Sequence, residues 1–158
     1  MPVNFYAILA STFVTLLVGF VWYSSKVFGT IWMKETGISK GKAKQINVLK
    51  VITLTSIYSF MLAFIMPSLV IHQMGVLGVF DGNVENASYL EFMSVHGDAF
   101  RTFKHGALHG FISGLYIALP ITAINGLFEQ KSWKYILINA GYWIVSMTIM
   151  GAIICGWQ

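Results

Sequence analysis

Four apolar stretches, each about twenty residues long, restrict what this chain can fold into more than any other feature. They run over Asn4–Ser25, Val51–Ile71, Phe103–Leu127 and Trp133–Trp157. A helix of this length and composition crosses the hydrocarbon core of a bilayer. Charged residues make up only 10% of the chain, against roughly 25% in a soluble domain. We therefore predict an all-α fold in which residues 1–158 form one membrane-embedded bundle of four transmembrane helices in contact with the lipid bilayer.

The basic residues predict the direction of these helices, because lysine and arginine accumulate in cytoplasmic loops. The first and third connections hold eight basic residues: Lys26, Lys34, Lys40, Lys42, Lys44, Lys50, Lys131 and Lys134. The second connection holds two, Arg101 and Lys104. We therefore predict that the second connection and both termini lie outside. Since the positive charge flanks the spans, we interpret the net charge of +4 as a topology signal and expect no nucleic-acid partner.

The second connection, about residues 73–102, is long enough to carry structure of its own. Ser88 and Glu91 have the spacing of a capping box, which is typical of a helix N-terminus. We therefore expect a short helix that lies on the outer surface of the membrane.

Small residues recur at every fourth position along the spans, which is the pattern that lets membrane helices approach closely. In the third span this stripe includes Gly106, Gly110, Gly114 and Ala118, and in the first span it includes Gly19. We predict that these residues form helix-packing seams. A pathway or hinge lined by the glycines is the alternative.

Three further polar residues are candidates for a polar core inside the bundle. Asn125 and Asn139 flank the short turn between the third and fourth spans, so we expect their amides to bond across that helix pair. Tyr116 follows His105 by eleven residues, almost three helical turns, which predicts that both lie on one face.

Four histidines fall at or near the predicted outer face: His72, His96, His105 and His109. The last two are four residues apart, which brings their imidazoles to one helix face. We favour a structural role, with His105 among lipid headgroups and His109 bonded to a neighbouring helix. Proton or cation handling by His109, the deepest of the four, is one alternative. A metal site made by His105, His109 and His96 is another, and a haem clamp would need His72 or a second subunit as well.

A set of aromatic and glycine motifs extends from the first span to the fourth. It comprises Gly19–Tyr23, Phe28–Met33, His109–Gly110, Asn125–Glu129, Ser132–Lys134 and Ile138–Tyr142. Together these motifs resemble a family of small bacterial four-span membrane proteins catalogued as a domain of unknown function. The resemblance implies a multi-pass protein of the bacterial cytoplasmic membrane. Because that family has no established reaction or ligand, it carries over no catalytic residue.

Three functions are compatible with these residues. The one we favour is permeation or transport of a small solute, protons or a cation by a homo-oligomer, with His109, Tyr116, Asn125 and Asn139 marking the pathway. The second is a structural or accessory subunit of a larger membrane complex, and the third is an outer-face metal-binding or haem-binding protein. The sequence contains no nucleophile–base pair with a third residue to orient it and no recognisable zinc motif. We therefore predict neither an enzyme nor a cofactor.

Overall fold

The computed structural model describes residues 3–158 and is all-helical over that range. Its helices, in chain order, are α1 (Phe5–Thr12), α2 (Val14–Trp22), α3 (Gly29–Thr36), α4 (Lys40–Lys44), α5 (Val48–Val70), α6 (Gln73–Val79), α7 (Ala87–His96), α8 (Phe103–Ser113), a π-helical turn (Gly114–Ala118), α9 (Leu119–Phe128) and α10 (Trp133–Gly156). The prediction of an all-α protein is confirmed.

Four helical segments are long and apolar enough to cross a membrane: Phe5–Trp22, Val48–Val70, Phe103–Phe128 and Trp133–Gly156. They are called the first to fourth spans below. Each agrees with the predicted stretch to within three residues at both ends. The hydropathy of the chain therefore predicts its transmembrane architecture, which is that of a multi-pass membrane protein.

Each span begins at a polar residue whose side chain accepts a hydrogen bond from a free backbone N–H of the first turn. Asn4 caps the first span and Asn47 the second. Thr102 and Ser132 cap the third and fourth. These caps explain why the helices begin where they do, since the first N–H groups of a helix have no partner within it.

Two short helices lie at the end of the bundle where the second span ends and the third begins. We call this the histidine end, because His72, His96, His105 and His109 all belong to it. The backbone of Ile71 is extended, which ends α5 and starts the short helix α6. The expected surface helix is present as α7, but Asn86 rather than Ser88 is its N-cap.

The fourth span lies at the centre of the bundle. α10 packs against the first span, α5, α8 and α9, and its residues Met150 and Ile154 are almost fully buried with Ala7 and Met66. The other spans surround it and expose much of their apolar surface, as expected for helices whose outer faces contact lipid.

Glycines bring the third and fourth spans into backbone contact. A Cβ atom on Gly106 would lie 2.1 Å from the Gly151 carbonyl oxygen, and one on Gly110 would lie 2.1 Å from the Met147 carbonyl oxygen. A Cβ on Gly114 would lie 2.6 Å from the Cα of Ile144. No side chain fits at these three positions, so the third and fourth spans pack with their backbones in contact.

Hydrogen bonds join the first span to its neighbours. The Tyr142 hydroxyl donates to the Thr15 carbonyl oxygen at 3.0 Å, and the Thr15 hydroxyl bonds the Ser59 hydroxyl of the second span. Gly19 faces the Tyr142 ring, and a Cβ there would lie 3.5 Å from it, an ordinary van der Waals contact. Three spans therefore meet at one buried polar contact.

Replacing Tyr142 with phenylalanine removes the hydroxyl from this contact and keeps the ring. We expect a loss of about 0.6 kcal/mol in the free energy of unfolding, the average for a hydrogen bond between membrane helices. Thermal unfolding of the purified protein in detergent measures the change. Tyr58→Phe is the matched control, because Tyr58 is 63% exposed. Equal losses in the two variants would contradict the assignment.

Candidate metal centre

Three histidines from two spans converge at the histidine end. His72 stands at the break between α5 and α6, where the extended backbone of Ile71 turns the chain. His105 and His109 occupy the first two turns of α8, four residues apart on one helix face. Because the second and third spans run in opposite directions, the end of α5 and the start of α8 lie at the same end of the bundle. We call His72, His105 and His109 the histidine cluster.

The imidazole rings of the cluster are close enough to share one ligand. One ring nitrogen from each histidine lies within 4.8 Å of those of the other two, and the Nε2 atoms of His72 and His105 are 2.9 Å apart. The ring centroid of His109 lies 4.5 Å from that of His105 and 4.8 Å from that of His72. His105 and His109 are half-buried and His72 is exposed, so the cluster is accessible from one side.

Phe100 forms one wall of the cluster. Its ring stacks on His105 with a centroid separation of 5.1 Å and meets His72 edge to face at 5.8 Å. The backbone φ of Phe100 is +64°, a left-handed conformation that is costly for a bulky residue. The Phe100 carbonyl oxygen accepts hydrogen bonds from the Thr102 N–H and the Cys155 thiol, which helps to hold this strained conformation beside the histidines.

The donor set of the cluster fits a transition-metal ion. Three imidazoles with a fourth position left open are the ligands of many catalytic zinc sites. In tetrahedral geometry with Zn–N bonds of ~2.0–2.1 Å, the ligand nitrogens are about 3.3 Å apart. The Nε2 atoms of His72 and His105 are 2.9 Å apart, and one ring nitrogen from each of the three histidines lies within 4.8 Å of the others, so the separations are of the size that a shared ion requires.

The metal site that the sequence left open as an alternative shares two of its three histidines with the cluster. His105 and His109 lie together as the helical spacing indicates, but the third member of the cluster is His72. His96 instead contacts Phe92 in a tilted arrangement, with 4.9 Å between ring centroids, and its carbonyl oxygen accepts a hydrogen bond from Gln73. Spacing within one helix could not reveal the contribution of His72. Its predicted position at the same membrane depth as His105 did indicate that the two histidines could be neighbours.

The remaining polar candidates are dispersed over the bundle. Tyr116 is 73% exposed and lies within the π-helical turn Gly114–Ala118, where the count of 3.6 residues a turn no longer applies. Asn125 is exposed. Asn139 accepts a hydrogen bond from the Tyr23 hydroxyl at 2.9 Å and donates to the Tyr135 carbonyl oxygen, so the amide expected to bond Asn125 has partners elsewhere.

Comparisons with known proteins identify a family. A family model described as a protein of unknown function (DUF1761) matches residues 6–155, a range that includes all but the outermost residues of the four spans. No curated protein and no solved structure matches the chain. The match carries no reaction or ligand with it, so the chemistry of the site rests on the geometry of the histidine cluster.

Proposed function

We propose that this chain, which belongs to the DUF1761 family of proteins of unknown function, is a membrane protein that binds one divalent transition-metal ion. The ligands are His72, His105 and His109. The observation that carries the proposal is the approach of three ring nitrogens, from two different spans, to within 4.8 Å of one another. Ionisable groups placed in or beside a membrane are costly and mark functional sites.

A hydrogen bond between neutral imidazoles accounts for less of the arrangement. One imidazole donates and the other accepts in such a pair, which explains the 2.9 Å contact between His72 and His105. Helical spacing brings His109 beside His105, but neither that spacing nor the hydrogen bond accounts for the 4.8 Å between the ring centroids of His109 and His72. One metal ion would contact all three rings.

The ligand type narrows the choice of metal. Imidazole suits zinc, copper, iron and nickel, whereas calcium and magnesium select oxygen ligands. The thiol of Cys155 donates to the Phe100 carbonyl oxygen and lies outside the histidine cluster. Zn²⁺ and Cu²⁺, both of which imidazole suits, are therefore the expected occupants.

The distribution of lysines supports an external position for this site. The connection 26–50, which holds six lysines, and the turn into α10 that carries Lys131 and Lys134 lie at the end of the spans opposite the histidine cluster. By the positive-inside rule the cluster then faces the outside of the cytoplasmic membrane of a bacterium, where it would meet metal ions before they cross. Transport remains the second candidate, with the histidine cluster as the entry site of a cation, although exposed Tyr116 and Asn125 do not extend a pathway from it.

Metal binding by four single-histidine variants tests the proposal. The purified protein is freed of metal, and Co²⁺ is titrated while its d–d absorption is recorded, with Zn²⁺ competition giving the zinc affinity. We expect about one ion per chain for the wild type and at least ~100-fold weaker binding for His72→Ala, His105→Ala and His109→Ala, since even the loss of an outer-shell partner costs up to that factor.

His96→Ala is the matched control, because it removes the one histidine outside the cluster. It should bind the ion as the wild type does. Wild-type protein that binds no Co²⁺ or Zn²⁺, or a His96→Ala variant as weak as His105→Ala, would overturn the proposal. Affinity should also fall as the pH drops through the range in which imidazole becomes protonated, because each ligand must be neutral to bind.

A further inference from the structure

A cavity adjoins the histidine cluster, and His72 and Phe100 line both. It has a volume of about 190 Å³ and lies between α6, α7 and the turn that follows α7. Its lining includes His72, Gln73, Val76, Phe92, His96 and Phe100. We call this cavity the ring-lined pocket.

Four of the lining side chains are planar rings, and they form two pairs. Phe92 and His96 are 4.9 Å apart between ring centroids, with the ring planes tilted by 45°. His72 and Phe100 meet edge to face at 5.8 Å. Aromatic rings interact best in tilted or edge-to-face contacts with centroids 4.5–7 Å apart. Since all four rings line the pocket, a further ring bound there would be surrounded by aromatic side chains.

The pocket is braced by one buried side chain. Gln73 is 4% exposed, and its Nε2 donates to the carbonyl oxygens of His96 at 2.7 Å and Ala99 at 2.9 Å. Both N–H bonds of this amide are therefore used to tie the start of α6 to the end of α7. The walls of the pocket are held in place before any ligand binds, which lowers the entropy lost on binding.

Size and charge limit what the pocket can hold. A cavity of ~150 Å³ accommodates benzene, so 190 Å³ suits one six-membered ring with a small substituent. The lining residues include no carboxylate that would attract a cation, and a metal ion on His72 would repel one.

We propose that the ring-lined pocket binds a neutral molecule with a single aromatic ring, and that the bound ring contacts His72. The second clause rests on the proposed function, because it links the pocket to the metal site. A coordinated imidazole carries more positive charge at its edge than a free one, and the face of an aromatic ring attracts such an edge. Metal and aromatic ligand therefore strengthen each other's binding by the same factor.

Binding of 4-fluorophenol to metal-free protein tests the pocket by itself. The probe is followed by ¹⁹F NMR, and all proteins are measured in the same detergent so that partition into micelles cancels. For a ligand of this size we expect a Kd of about 1 mM. Val76→Phe fills the pocket and should weaken binding at least ~10-fold. Val79→Phe is the same change on the same helix at a residue that is 78% exposed, and it should bind as the wild type does.

A second titration on protein saturated with Zn²⁺ tests the link to the metal. We expect 4-fluorophenol to bind about fivefold more tightly than without zinc, the lower end of common coupling between sites, and this increase should be absent in His72→Ala. Equal binding of 4-fluorophenol by Val76→Phe and wild type, or tighter binding of tetramethylammonium than of 4-fluorophenol, would refute the proposal that the pocket binds a neutral aromatic molecule. An affinity for 4-fluorophenol that is unchanged by zinc would refute the coupling between the pocket and the metal site. Protein that binds the probe but no metal refutes the proposed function and leaves the pocket standing.

Discussion

Replacing Gly110 with isoleucine is expected to lower the free energy of unfolding by roughly 3 kcal/mol or more, the upper range for overpacking a tight core. A Cβ at this position would lie 2.1 Å from the Met147 carbonyl oxygen, 2.8 Å from its carbonyl carbon and 2.9 Å from the Cα of Thr148. All three are backbone atoms of α10, so no side-chain rotation relieves the overlap. The third and fourth spans must move apart along their closest contact.

Helix propensity acts against this loss and does not outweigh it. Isoleucine in place of glycine gains about 0.5 kcal/mol inside a helix, several times less than the steric cost. The midpoint of SDS-induced loss of helical circular dichroism, measured for wild type and variant in the same mixed micelles, gives the net change. Gly110→Ala should show the same sign with a smaller size.

Gly78→Ala provides the control of opposite sign. This glycine lies in α6, and a Cβ there would have no atom within 4 Å apart from its immediate surroundings, so only the gain in helix propensity remains. We expect an unchanged or slightly raised stability, by at most about 1 kcal/mol. A Gly110→Ile variant as stable as the wild type would show that α8 and α10 do not pack through their backbones.

The spans and the glycine contacts could be predicted because each depends on one local property. Twenty apolar residues need no knowledge of their neighbours to be recognised as a span, and a glycine at every fourth position indicates close packing whichever helix is the partner. The identity of the partner could not be predicted. Gly106 packs on Gly151 of the fourth span, which the stripes of small residues in the first and third spans do not identify.

Local spacing was not sufficient where the site depends on exact helical register or on residues far apart in the chain. Tyr116 was placed with His105 by counting 3.6 residues a turn, and the π-helical turn before Pro120 breaks that count. Proline has no N–H to donate and crowds the preceding turn, which favours a local change of pitch. His72 and His105 are 33 residues apart in the chain and come together because the second and third spans run antiparallel. Residue spacing within one helix does not indicate such a pairing.

The glycine contacts and the histidine cluster are physically connected. His105 and His109 each precede a glycine that touches α10, so the backbone contacts of Gly106 and Gly110 set the position of the helix that carries two of the three proposed ligands. His72 comes from a different span and is held by the break at Ile71. A metal ion at the cluster would therefore add a further link between the second span and the third, which already pack against each other through α5 and α8.

Zinc is accordingly expected to stabilise the folded protein, and its removal to destabilise it. An ion that binds only the folded state raises the free energy of unfolding by about 2.7 kcal/mol when its free concentration is 100 times its Kd. Thermal unfolding in detergent, followed by circular dichroism with buffered free Zn²⁺ and again after a chelator is added, measures the difference. His96→Ala should keep the full shift and His105→Ala should lose it, since only the second removes a member of the histidine cluster. A shift of equal size in both variants would mean that zinc acts elsewhere on the chain. The Nε2 atom of His105 lies 2.9 Å from that of His72, so an ion held by the three imidazoles should lose most of its affinity when His105 is replaced.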